Sequence, residues 1–417
     1  MSQFTDTNKH KIINDPVYGF IKLPYNIVFD LIEHRYFQRL RRIRQLGMTH
    51  YVYPGANHTR FQHAIGAMHL MGLAIDVIRS KGHEISEVEA EAVTIAILLH
   101  DIGHGPFSHS LEHSLIKGVS HEKVGLMFME MLNKEFNGKL STAIQIFQNK
   151  YPKRFLHQLV SSQLDMDRLD YLKRDSFFSG VTEGVIGSDR IIKMLNVFDD
   201  NLVVDQKGIY SIEKFLIARR LMYWQVYLHK TVISADQLLV RLLSRAQDLS
   251  SMNEDLFATP ALSYFLKSPS SAFSKENSAI FLERFSELDD TDIMSAAKVW
   301  SAHPDTILST LCKGFVERRL FAIELEDEPF PADRLEYLKN KVVEKFSVSY
   351  EEAADLVISE SISNYIYTDM DDRIKILRKN GELLDIADAS DMLNISVLSK
   401  TIRKYFLCYP KYIEDLL

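Results

Sequence analysis

Cysteine is scarce in this 417-residue chain: there are two, Cys312 and Cys408, far apart. A disulfide framework and a cysteine-built zinc site are both excluded on that count. Long apolar runs are missing too. None approaches the ~18 residues a membrane helix needs, and the opening MSQFTDTNKHK has no apolar leader core. The expectation is a cytoplasmic protein without a membrane partner. Positive charge is also short. The net charge of −7 gives no global basic footprint for a nucleic-acid backbone, which leaves such a partner only local patches. Core material is plentiful: 46% of residues are hydrophobic and 25% charged, enough for one large domain with a subdomain, or for two.

Histidine is unevenly spread. Nine of the fifteen lie between His58 and His121. A single histidine is usually a satisfied surface or core imidazole, but nine in one stretch call for another account. The densest part is AVTIAILLHDIGHGPFSHSLEH (92–113), where an apolar run leads straight into His100 and Asp101.

The surrounding pattern is mostly helical. IINDPVYGFIKL suits a short hairpin. NIVFDLIEHRYFQRLRRIRQLG predicts a helix stopped at Gly47, and FQHAIGAMHLMGLAIDVIRSKG a second, after the YVYPGANHTR loop. Ser86 and the acidic residues after it predict a helix start, with the end near Gly103; Pro106 suits the first turn of another. LHQLVSSQLDMDRLDYLKRDSFFSG reads as one helix, NLVVDQKGIYSI as a hairpin turning at Lys207–Gly208, and residues 213–247 as a long helix or two in series. Beyond 245 the helical texture is interrupted by RRLFAIELEDEPF and by RIKILRKNGELLDI, whose Asn380–Gly381 pair signals a hairpin.

His100 and Asp101 can flank one ion beside a helix end. An imidazole and a carboxylate form a mixed set suited to Zn, Mn, Fe, Co or Ni, and marginally Mg. Two groups are too few. His63 in RFQHAIG and an aspartate from LDMDRLDYLKRD are the candidates to complete the set.

The combination HTRFQHAIG, HDIGHGPFSH, SHEKVG and DMDRLDYLKRD, in this order, resembles the HD-domain deoxynucleoside triphosphate triphosphohydrolases. That family includes the human SAM- and HD-domain enzyme and bacterial dGTPase-like relatives. The likeness covers roughly residues 10–240, and no SAM domain is expected within the chain. It implies a mainly α fold: an HD-domain helical core with short β-hairpins over 1–245, and a C-terminal α+β subdomain over 246–417 that serves oligomerisation.

Carried over residue by residue, the metal ligands fall on His63, His100, Asp101 and Asp167, with Asp165 the competing carboxylate. His109 becomes the general acid, three residues before Glu112, which stands where the family usually has Asp; His104 and His121 match phosphate contacts. Gln45, Leu46, Tyr171 and Asp175 match the sugar site, and Arg60, Arg168, Arg219 and Lys230 match or neighbour triphosphate contacts. Tyr223 and Tyr227 suit core or base stacking equally. Lys11, Asn14, Gln38 and Arg41 match a regulatory nucleotide site, with Glu33 where a guanine-reading aspartate stands.

The implied activity is metal-dependent, dGTPase-like hydrolysis of dNTPs to deoxynucleoside and triphosphate by a homo-oligomer, dimer or tetramer, with a nucleotide activator. Two alternatives stay open: an HD phosphohydrolase of nucleoside monophosphates or of a signalling nucleotide, and a non-catalytic nucleotide- or nucleic-acid-binding HD protein.

Overall fold

A computed structural model describes residues 11–107, 114–116, 118–267, 277–364, 373–390 and 402–414. The chain opens with the expected hairpin, β1 (Ile12–Asp15) against β2 (Gly19–Lys22). Asp15 shapes its turn by accepting the N–H groups of Val17 at 2.9 Å and Tyr18 at 3.0 Å.

The helix predicted over 26–47 is broken. α1 (Asn26–Glu33) stops at His34, whose extended backbone and ring cap a second short helix, α2 (Arg35–Gln38), by accepting from Tyr36 N. A 3-10 turn over Arg39–Arg42 follows. The arginines after α2 explain the break, because they do not form one solvated face. Arg39 is fully buried, donates to the Ile102 carbonyl at 2.8 Å and lies over the Phe285 ring. Arg42 and Arg44 pair with Asp289 and Asp290.

Two helices make the centre. α3 (Arg60–Ser80) begins at a capping box between Thr59 and Gln62, and α4 (Glu87–Leu99) at one between Ser86 and Glu89. Ala92 through Leu99 of α4 are all buried; a helix apolar on every side can only lie inside. α3 is long and apolar enough to cross a membrane by length and composition, but it is mostly buried and packs on α4.

α5 (His121–Glu135), α6 (Ser141–Phe147) and α7 (Arg154–Val160) wrap this pair, and α8 (Met166–Ser179) lies along α3. The single helix predicted over 156–180 is thus two, α7 and α8. The backbone extends at Ser161, and Asp165 caps α8 by accepting from Ser162 N at 2.8 Å and Arg168 N at 2.7 Å. The helix predicted to start at Pro106 does not begin there, because Pro106 and Phe107 form a turn with Phe107 at φ 51°; residues 108–113, with His109 and Glu112, lie outside the described residues.

A second correction concerns the hairpin predicted to turn at Lys207–Gly208. The strands are Leu195–Phe198 and Asn201–Asp205, and the turn is Asp199–Asp200, both at positive φ. Short polar side chains tolerate that conformation, so an Asp-Asp pair makes the turn that was expected at Lys207–Gly208. Gln206–Gly208 is a 3-10 turn instead, leading into a helix at Ile209–Met222, a π-helical turn and a second helix at Lys230–Ser251.

The hairpin at Asn380–Gly381 forms as expected, from Lys375–Leu377 and Leu383–Asp385, and extends the same sheet through parallel pairing of Val204 with Ile376. A three-stranded sheet orders Ala322–Glu326, Ile402–Tyr409 and Ile358–Asn364. Residues after 246 also reach the histidine-rich loop, where Asp290 accepts from Phe107 N at 3.2 Å and Arg44 N at 3.0 Å.

Gly103 lets α5 approach that loop. A Cβ on it would stand 2.1 Å from the His121 carbonyl oxygen and 2.3 Å from Gly125 N, both backbone atoms that cannot swing aside. Gly103→Ala is therefore expected to cost about 1–3 kcal/mol, as overpacking does. Gly72→Ala, with nothing within 4 Å of the new Cβ, should be neutral or slightly stabilising. Denaturant midpoints of the two variants compare these outcomes directly.

Candidate metal centre

α4 ends where its apolar run ends, and the next two side chains turn toward α3 and α8. His100 Nδ1 donates to the Ile97 carbonyl at 2.6 Å, which leaves the Nε2 lone pair facing inward. His63, fully buried on α3, gives Nδ1 to Asp170 at 2.7 Å and likewise turns Nε2 inward. The two Nε2 atoms stand 3.3 Å apart. Asp167 Oδ1 lies 3.1 Å from His63 Nε2 and 3.4 Å from His100 Nε2. Asp101 completes the ring, with Oδ1 3.4 Å from His100 Nε2 and Oδ2 3.7 Å from His63 Nε2.

Ligands held about 2.0–2.2 Å from a zinc-sized ion stand roughly 3–3.5 Å from one another. The His63, His100 and Asp167 donors meet that spacing, the Asp101 oxygens stand 3.4 and 3.7 Å from the two imidazole nitrogens, and the mixed nitrogen and oxygen chemistry suits a divalent ion. His63, His100 and Asp101 are a group able to hold a metal on distance alone.

The charge balance points the same way. Burial disfavours a charged imidazole, but the bonds from Asp167 and Asp170 overcome it and push His63 up to about 10. Burial also opposes ionised Asp167, yet His100 and His63 hold it below the usual carboxylate range. The pocket therefore demands positive charge. Asp165, the rival carboxylate, is spent on capping α8 and pairing with Arg168.

Cations surround the cluster. Arg60, nearly buried, donates to Asp101. Arg168 is held by Asp165, and Arg219 by Gln163 at 2.9 Å; each keeps a buried Nε with no acceptor among the described residues. Tyr171 lies one turn beyond Asp167; burial raises its phenol well above its ordinary value, and Arg219 and Arg168 act on it from nearby. His104 stacks on His121 with ring centroids 3.9 Å apart. Burial, then Arg60, lowers His104 to about 3, so it is neutral at pH 7, with Nδ1 3.1 Å from Asp101 Oδ1.

The sugar-site candidates form a second group. Asp175 is buried, and its two oxygens meet His58 Nε2 and the Tyr227 hydroxyl, both at 2.7 Å. Gln45 N donates to the His58 carbonyl, and Gln45 Oε1 is buried without a donor among the described residues. Leu46 packs against the core, and Tyr227 lies edge-on to both Tyr171 and Tyr223.

Lys230 lines a cavity of about 250 Å³ with Arg318 and Lys411, and none of the four donors borders it. The regulatory candidates gather around α1. Lys11 lies over the Phe29 ring, Gln38 donates to the Ile32 carbonyl, and Arg41 donates to Gln38. Asn14 and Glu33 are exposed.

Three site residues escaped sequence reasoning. His58 was one histidine among nine, Asp15 lies more than 150 positions from its partner, and Asp170 is one of several charged residues on the helix that carries Asp167. Only the last had a usable signal: its i, i+3 spacing from Asp167.

Comparison with known proteins agrees with this geometry. Residues 60–175 match the HD domain and residues 186–259 the HD associated region. YwfO of Bacillus subtilis is 30% identical over 414 residues, 97% of this chain and 93% of that protein. The deoxynucleoside triphosphate triphosphohydrolase SAMHD1 homolog of Dictyostelium discoideum is 31% identical over 61% of this chain, and SAMHD1 of Homo sapiens 29% identical over 57%. The chain spans about half the length of these two relatives, 53% and 45%. A solved phosphohydrolase from Bacteroides thetaiotaomicron superposes with a TM-score of 0.92 at 55% identity, over 96% of this chain and 100% of its own. With such likeness along nearly its whole length, this chain belongs to the HD-domain phosphohydrolases and, among them, to the group similar to the deoxynucleoside triphosphate triphosphohydrolases.

Proposed function

We propose that this chain hydrolyses deoxynucleoside triphosphates to deoxynucleoside and triphosphate. The observation that carries the reading is Arg168 and Arg219, each with a buried Nε that meets no acceptor among the described residues, both acting on Tyr171 one turn beyond Asp167. Two guanidinium groups with donors to give, next to a third on Asp101, suit a polyphosphate better than a monophosphate. The SAMHD1 relatives, whose name states this reaction, support the choice of substrate.

A divalent ion held by His63, His100, Asp101 and Asp167 would supply Lewis acidity toward the phosphoryl group and toward water. Arg60, Arg168 and Arg219 bind and orient the phosphate oxygens, and neutral His104 sits beside them. Gln45 Oε1 accepts from a sugar hydroxyl, while Tyr171 closes the 2′ edge. Water adds at the α-phosphorus and gives up a proton to solvent, the bond to the 5′-oxygen breaks, and His109 delivers the proton that oxygen needs. Lys11, Asn14, Gln38 and Arg41 form a nucleotide activator site in a cytoplasmic homo-oligomer.

Metal-supplemented incubation with dNTPs, NTPs, nucleoside monophosphates and signalling nucleotides, with products identified, tests the reading. Free triphosphate from dNTPs is the expected result. Phosphate released from monophosphates alone would make it another HD phosphohydrolase, and binding without turnover a sensor.

His63→Ala and Asp101→Ala should abolish turnover together with bound metal, measured by elemental analysis, because each removes a donor. His109→Ala should instead lower activity by about 10²–10⁴-fold with metal retained, as loss of a general acid does. Metal loss in that variant would move His109 into the ligand set.

Tyr171 sets the third expectation. A ribose 2′-hydroxyl against its ring would be buried without a partner, a penalty of about 5- to 150-fold. Turnover of dATP should exceed that of ATP by such a factor in kcat/KM, and Tyr171→Ala should narrow the gap. Equal values in the unmodified enzyme would remove the steric argument.

A further inference from the structure

His63 is tied to the start of the chain by an unbroken buried line of hydrogen bonds. Its Nδ1 meets Asp170 Oδ2 at 2.7 Å. Asp170 is gripped from behind by Arg174, whose Nε reaches Oδ2 at 2.9 Å and whose Nη2 reaches Oδ1 at 3.0 Å. The far side of Arg174 gives Nη1 to Asp15 Oδ2 at 2.8 Å. Asp15 Oδ1 in turn holds the β1–β2 turn through Val17 N and Tyr18 N. His63, Asp170 and Arg174 are fully buried and Asp15 is 4% exposed, so solvent neither screens the line nor substitutes for a missing member.

α3 is shaped around this line. A Cβ on Gly66, one turn beyond His63, would lie 2.0 Å from Asp170 Oδ1 and 2.2 Å from Arg174 Nη2. Only glycine leaves space for the two side chains to cross the helix here.

Each link constrains the next. Ionised Asp170 can only accept, so it selects the His63 tautomer with the proton on Nδ1 and the lone pair on Nε2. The two-point grip of Arg174 fixes the carboxylate plane, and with it the ring plane of His63. Arg174 would face a single carboxylate without Asp15, and its guanidinium could follow the turn no longer.

We propose that Asp15 is a positioning residue for the metal centre, coupling the conformation of the β1–β2 turn to His63 through Arg174 and Asp170. The proposal rests on the reading of His63, His100, Asp101 and Asp167 as metal donors. It makes the hairpin that carries Asn14 an outer part of that centre.

Asp15→Asn is the decisive variant. The amide oxygen can still accept from Val17 N and Tyr18 N, but its NH2 faces Arg174, a donor against a donor. Cobalt(II) titration followed by calorimetry and by the visible ligand-field spectrum gives two readouts independent of turnover. Loss of such an outer partner typically weakens metal binding about 10- to 100-fold. Asp15→Asn should therefore bind cobalt at least about 10-fold more weakly and with an altered spectrum, and Lys22→Ala, exposed in the same hairpin, should match the unmodified protein. Gly66→Ala, which displaces the line without removing a member, should weaken binding similarly, and it serves if Asp15→Asn does not fold. Wild-type affinity and spectrum in a folded Asp15→Asn or Gly66→Ala protein would overturn the coupling. No cobalt binding by the unmodified protein would instead overturn the metal reading on which it rests.

Discussion

The burial of opposite charges in one small volume is the constraint on which the rest of this structure depends. Two imidazole nitrogens face each other at 3.3 Å with the Asp101 and Asp167 carboxylates beside them; His63, His100 and Asp101 are nearly out of reach of water, while Asp167 keeps 28% of its side chain exposed. A buried charge is expensive unless it is paired and hydrogen-bonded, and the two carboxylates and two imidazoles here each need the others, or an ion, to be satisfied. The fold meets this cost by surrounding the cluster with partners that can act only one way: the Ile97 carbonyl, the Asp170 carboxylate and the Arg60 guanidinium.

That constraint explains why α4 is so apolar. A helix buried on all sides cannot be displaced by solvent, so its last residues are delivered at a fixed place. The capping boxes at the starts of α3 and α4 hold the other ends in register. Glycine serves the same purpose in two places. Gly66 lets Asp170 and Arg174 cross α3, and Gly103 lets α5 bring His121 against His104. The C-terminal residues take part as well, since Asp290 ties the Phe107 loop to Arg44 across more than 180 positions of sequence.

The arginine-rich segment after α1 shows how far composition can mislead. Four arginines within six residues suggest one basic face, but the chain sends them in separate directions. Arg39 goes into the core, Arg42 and Arg44 to two aspartates near 290, and Arg41 to Gln38 over the Phe61 ring. Their real work is largely structural: they anchor the loop after α4 and fasten the helix beginning at Asp290 to the core.

Much of the centre was readable in the sequence because local patterns and ordered motifs are local properties. The apolar run into His100 and Asp101, the helix carrying Asp167, Tyr171 and Asp175, the Ser86 cap and the Asn380–Gly381 hairpin all follow from residue spacing and turn chemistry. Helix breaks were less legible. His34 and Asp165 each stop one helix and start another by capping, which an apolar period running through both does not reveal. The turn at Asp199–Asp200 was hidden by a more conventional Lys-Gly pair nearby. That Asp170 orients His63 from behind, and that Asp15 reaches His63 through two intermediaries, were decided by tertiary structure alone. Those outcomes depend on which buried charges find each other across distant segments, and sequence spacing carries no record of that pairing.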